Sequence, residues 1–138
     1  VSTKHEIKPP ARVVTNEDKP FWDALDAGRF VLARCSCGAW YARSQACLTC
    51  QASAASLIWT AASGRGVVAT FVVFEKAYHA CFEQRLPYVV AVVELEEGPE
   101  FITNVIGCSV DEVTIGMAVD MVVIARGDQA IHQAQARL

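Results

Sequence analysis

No run of about 18 apolar residues occurs in these 138 residues, so no membrane-crossing helix is expected. Basic side chains are scarce. Twelve Lys and Arg stand against fifteen Asp and Glu, for a net charge of −3, which argues against a nucleic-acid partner. There are no internal repeats and no low-complexity tract. No nucleophile motif appears, and no Ser-His-Asp or Cys-His set can be assembled from local sequence. The polar opening, Val1-Ser2-Thr3-Lys4-His5-Glu6, lacks a signal-peptide pattern. A cytoplasmic, reducing setting is therefore expected.

Cysteine and apolar residues, by contrast, are plentiful. Hydrophobic residues make up 53% of the chain, a surplus expected to be hidden against a partner or in a β-rich core. Of the six cysteines, four lie within sixteen residues, at Cys35, Cys37, Cys47 and Cys50. Four soft thiolates on two knuckle turns suit a tetrahedral structural zinc, and Gly38 supplies the positive φ that such a turn wants. The first pair is CxC rather than CxxC, which leaves a disulfide, a degenerate site and iron as alternatives. Cys81 and Cys108 stand apart, among apolar residues, and read as buried structural thiols.

The fold expected is mainly β: an N-terminal helix and zinc ribbon followed by a five-stranded OB-type barrel. Residues 1–18, with Pro9-Pro10, read as a flexible arm. Residues 19–58 hold the helix and ribbon, and 59–138 the barrel. The helix runs from Lys19 to Gly28, with Asp18 as N-cap and Phe21, Trp22 and Leu25 on one face. That face packs on this domain or on a partner. Barrel strands are expected at 67–74, 88–95, 101–106 and 117–124, with a weakly signalled fifth near 130–136 and one helical turn at 110–113.

Several of these pieces match one family. They are Phe21-Trp22-Asp23-Ala24-Leu25-Asp26-Ala27-Gly28, Cys37-Gly38 with Cys47-Leu48-Thr49-Cys50, Gly64-Arg65-Gly66-Val67-Val68, and Tyr78-His79-Ala80-Cys81-Phe82. The most specific is Leu86-Pro87-Tyr88-Val89-Val90-Ala91-Val92-Val93-Glu94-Leu95-Glu96-Glu97-Gly98, with Thr103-Asn104 and Ile115-Gly116-Met117 behind it. In this order the chain resembles, over about residues 19–124, the bacterial and archaeal accessory proteins built as a rubredoxin-like zinc ribbon plus OB-fold, formerly a domain of unknown function. These accompany thiolase-superfamily enzymes.

The resemblance implies a non-catalytic subunit that braces a thiolase or thiolase-like aldolase in a heterotetramer, with no nucleic-acid or membrane partner expected. The complex would act on acyl-CoA thioesters from steroid side chains or aromatic compounds, with structural zinc and an acyl-CoA shared with the partner. One departure stands out: the family's first ligand position falls on Arg34, so either Cys35 serves in a strained knuckle or the site is weak, with three protein ligands.

The residues weighed for partner or substrate-channel contact are Phe21, Trp22, Arg65, Tyr78, His79 and Phe82. His79, flanked by aromatics, meets an acyl chain or the partner's active-site mouth, or is a loop histidine without a role. Arg65 meets a CoA phosphate or a partner carboxylate, or simply opens a strand. Glu94, Glu96, Glu97 and Glu100 read as solvated hairpin charge. A stand-alone acyl-CoA-binding or single-strand nucleic-acid-binding OB module is the alternative reading.

Overall fold

The computed structural model describes residues 12–126 and 128–137. Most of the expected arm, including His5 and Pro9-Pro10, lies outside the described residues. Its last part is held in place. The Arg12 guanidinium pairs with Asp26, reaches the Ala130 carbonyl at 3.0 Å, and lies 4.9 Å from the centre of the Trp22 ring.

Helix α1 spans Lys19–Asp26. Asp18 precedes it as expected, but its side chain makes no capping bond; its carbonyl accepts from Phe21 at 3.0 Å, and its own N–H donates to Thr15 Oγ1 at 3.2 Å. Pro20 sits in the first turn, where its missing N–H costs nothing. At the other end the Arg29 N–H bonds the Ala24 carbonyl and the Gly28 N–H bonds that of Leu25, with Gly28 at φ +82°. This paired closure is the usual glycine-terminated helix end.

A three-stranded ribbon sheet follows, in the order β2-β1-β3, from β1 (Val31–Arg34), β2 (Trp40–Tyr41) and β3 (Ile58–Ala61). The boundary expected at 58/59 falls inside β3, which pairs with β1 from Ile58↔Arg34 to Ala61↔Val31. The barrel is closed, in the order β4-β5-β6-β8-β7, from β4 (Arg65–Phe74), β5 (Tyr88–Leu95), β6 (Glu100–Ile106), β7 (Ala118–Arg126) and β8 (Gln129–Ala136). Closure is made by a short parallel contact of β6 with β8, Val105↔Ala134 and Ile106↔Gln135. A 3₁₀ turn at Val110–Glu112 occupies the expected one-turn helix, with the Ser109 N–H on Glu112 Oε1 at 3.0 Å.

The strand period of two is visible in β5. Val89, Ala91, Val93 and Leu95 are buried, while the alternate residues face outward. Together with Val68, Val119 and Ala134 they form the barrel core. Strand β1 ties everything together. Its successive residues Val31, Leu32 and Ala33 belong to three different clusters: the helix contact, the barrel core and the ribbon core respectively.

Candidate functional site

The ribbon brings the four cysteine sulfurs together. All lie within 4.8 Å of one another, with Cys35–Cys50 at 3.4 Å and Cys37–Cys47 at 3.6 Å. A tetrahedron with metal–sulfur bonds of about 2.3 Å has edges of about 3.8 Å, so the donor set fits a tetrahedral thiolate-bound metal. Cys35 and Cys47 are buried, and Cys37 and Cys50 sit at the surface.

The short first pair is accommodated by a shorter turn. In the second knuckle the Gln51 N–H reaches back four residues to the Cys47 carbonyl, and the Cys47 N–H bonds the Ala52 carbonyl. In the first knuckle the Gly38 N–H reaches back only three residues, to Cys35, and the Cys35 N–H bonds the Ala39 carbonyl. Each closure is one residue tighter, at the place where the sequence is one residue shorter. Gly38 at φ +99° permits this. Arg34 is not among the ligands; its guanidinium stacks 5.0 Å from the Trp40 ring centre.

Tyr41 was not singled out by its sequence context, yet it fastens the second knuckle. Its hydroxyl donates to Cys47 Sγ at 3.4 Å and accepts from the Leu48 N–H at 2.8 Å. That hydroxyl is the main reason the Cys47 thiol is brought down to about 6. At Cys50 the Ala52 N–H favours the thiolate, but hydrogen bonding with Cys35 and Cys47 outweighs it and holds the thiol up at about 12. Crowded sulfurs thus resist sharing more than one negative charge unless a cation lies among them.

The remaining candidates scatter. Phe21 is 6% exposed and sits in an aromatic cluster with Phe30, Trp59, Phe101 and His132 at centroid distances of 6.0–6.3 Å. It offers almost no surface to a partner. Trp22 is half-buried and lines a cavity of about 450 Å³ with Ile102 and His132. Arg65 opens β4 and its Nε contacts both Glu96 carboxylate oxygens at 3.0 and 3.1 Å.

Tyr78 is 76% exposed, with its ring edge-on to Phe74. His79 caps the 3₁₀ turn Ala80–Arg85: its Nδ1 accepts from the Cys81 N–H at 3.1 Å. Phe82 packs on Tyr88 at 5.7 Å. Cys81 and Cys108, expected to be buried, are both only half-buried; Cys81 lies in the loop turn and Cys108 just past β6, where neither is enclosed by strands. His132, placed at the chain end by the sequence, is held inside, with Nδ1 3.0 Å from Thr103 Oγ1.

The profile of the family described as "ChsH2, C-terminal OB-fold domain" matches residues 59–123. A "Probable enoyl-CoA hydratase alpha subunit" of Thermomonospora curvata is 36% identical over 127 residues, covering 83% of this chain and 36% of that protein. A "DUF35 domain-containing scaffold protein" of Methanocaldococcus jannaschii is 42% identical over 60 residues, covering 44% of this chain and 42% of that protein. The chain thus spans well under half the length of these curated relatives. Among solved structures, a chain of the "Ltp2-ChsH2(DUF35) aldolase" superimposes with a TM-score of 0.82 and 27% identity, covering 93% of this chain and all of that one. Four-thiol ribbon, closed barrel and these matches together support a likeness to the DUF35 family of OB-fold accessory proteins.

Proposed function

We propose that this chain is a non-catalytic accessory subunit of a cytoplasmic complex with a thiolase-superfamily enzyme, a thiolase or thiolase-like aldolase. It braces the catalytic subunit and helps shape the channel for an acyl-CoA thioester, in the breakdown of steroid side chains or aromatic compounds. The observation that carries this reading is the superposition over the whole of a chain from an aldolase complex. The "scaffold" and "alpha subunit" names of the relatives agree with it.

The surface supports a protein partner. Val72 and Val73 are neighbours on β4 and so point to opposite faces, yet they are 57% and 39% exposed. The outer half of β4 pairs with β5 alone, since its contact with β7 ends at Val67↔Ala118. Tyr78 extends this apolar projection. Charged or proline residues that would blunt such an edge are missing from Thr70–Phe74. No helix among the described residues is long and apolar enough to cross a membrane.

In this reading Cys35, Cys37, Cys47 and Cys50 hold a structural zinc. A closed all-thiolate site leaves no open position for water or substrate, so it supports the fold rather than a reaction. A heterotetramer follows naturally if the catalytic partner is a two-fold dimer.

The test is affinity purification of the chain from its native host, with partners identified by mass spectrometry and zinc measured in the same sample. Stoichiometric recovery of a thiolase-type protein is expected, with turnover of acyl-CoA only in the complex. A monomeric chain without partners overturns the reading.

A further inference from the structure

A second cavity, of about 520 Å³, lies at one end of the barrel. Its walls come from the connection between β4 and β5, the start of β5, the end of β6 and the end of β7. This is the region, between the first and last barrel connections and beside the second and third strands, where OB barrels commonly take ligands. Tyr88, Val105 and Val110 supply apolar surface.

Three polar side chains line this cavity without a carboxylate or amide partner among the described residues. Gln133 on β8 is only 7% exposed and lines the space; its side-chain amide bonds no protein group among the described residues and stays open to the cavity. An amide that meets only the cavity keeps two donors and an acceptor available to a ligand atom. At the mouth, Arg85 and Arg126 both lack a carboxylate partner among the described residues. Arg126 lies against the Phe82 ring at 5.6 Å and is partly desolvated, which lowers its pKa; repulsion from Arg85 adds to this. An anion between the two guanidiniums relieves both effects.

The barrel register separates these groups. Arg126 pairs with Gln129, and Gln133 lies four residues further along β8, roughly 13 Å of strand. We propose that this end of the barrel binds a small elongated carboxylate: its anionic end between Arg85 and Arg126, its apolar body on Tyr88, Val105 and Val110, and a hydroxyl or carbonyl at its far end on Gln133. The site is complete within this chain and does not depend on the partnership proposed above.

The experiment is calorimetric titration of the full chain with 8-hydroxyoctanoate, octanoate and 1-octanol, with backbone amide NMR shifts to place the binding. Both carboxylates are expected to bind saturably, with shifts at residues 82–90, 104–110 and 133. Octanol is expected to bind roughly tenfold or more weakly than octanoate. Arg126→Gln removes that advantage, and Gln133→Leu, which remains folded by its amide spectrum, removes the preference for the hydroxylated acid. Absence of saturable binding overturns the proposal. So does equal binding of octanol, or affinities unchanged by either substitution.

Discussion

Acidification is expected to weaken the fold through one residue, His132. Thr103 Oγ1 donates its hydrogen to the His132 carbonyl at 3.1 Å, so the same oxygen is left to accept from Nδ1–H at 3.0 Å. The neutral Nδ1–H tautomer is thereby selected, and a second proton must go to Nε2. The ring is packed edge-on to Phe101 at 5.3 Å and near Phe21 at 6.3 Å, and no carboxylate pairs with it among the described residues. Burial therefore pushes its pKa from 6.5 down to about 4. The unfolded chain then binds the extra proton at a higher pH than the folded one. Above pH 6.5 neither state carries it and stability is unaffected. Between 6.5 and about 4 stability falls with falling pH, and below 4 the loss is complete. At about 1.4 kcal/mol for each tenfold step, the full loss is about 3 kcal/mol. Urea unfolding at pH 8, 6.5, 5.5 and 4.5 measures it, alongside His132→Asn, which keeps an N–H donor but cannot titrate. The variant is expected to be less stable at pH 8 and to show a flatter profile between 6.5 and 4.5. Parallel profiles refute the reasoning. Loss of the carboxylates held low by Arg12 and Arg137, Asp26 and Asp120, begins below this window.

Further outcomes concern the ribbon and the barrel seam. Cys35→Ser is expected to drop bound zinc from about one per chain to well below half, measured by elemental analysis after dialysis, because the short knuckle has no spare donor. Tyr41→Phe keeps the metal but releases it to a chelator roughly tenfold faster or more, since the hydrogen bond to Cys47 goes while the ring stays. Gly66→Ala is expected to cost about 1–3 kcal/mol in urea unfolding. A Cβ there would come within 2.6 Å of the Glu94 carbonyl oxygen and 2.8 Å of Val93 Cγ1, and backbone cannot step aside as a side-chain tip can.

The barrel was legible where its strands carry β-branched runs. Val67–Phe74 and Tyr88–Leu95 read directly, and the structure extends the first only to Arg65. Strand β8 was faint because six of the eight residues of Gln129–Ala136 are alanine or glutamine. The structure gives the reason. Ala130 meets the helix, and Ala134 lies where β8 closes against β6. Small residues are needed where neighbours approach closely, and they carry little strand signal. The four-cysteine set was legible from spacing, but the tighter first knuckle depends on backbone closures that composition does not encode. Phe21 shows another boundary. Periodicity identified an apolar helix face but could not say what it faces; the aromatic partners come from residues 30, 59, 101 and 132, far apart in sequence.

Strand β1 bears on how ribbon and barrel share stability. A metal-bound ribbon and a closed barrel would unfold separately if only a linker joined them. Here Leu32 is fully buried in the barrel core, while its neighbour Ala33 packs with Cys35 and Cys47. Loosening the knuckles frees Ala33, and with it the strand that delivers Leu32. Chelation is therefore expected to lower the melting temperature of the whole chain in a single transition, with amide exchange rising in β4 and β5 as well as in the ribbon. Two separate transitions, with barrel exchange unchanged after chelation, would show that β1 does not couple the two units.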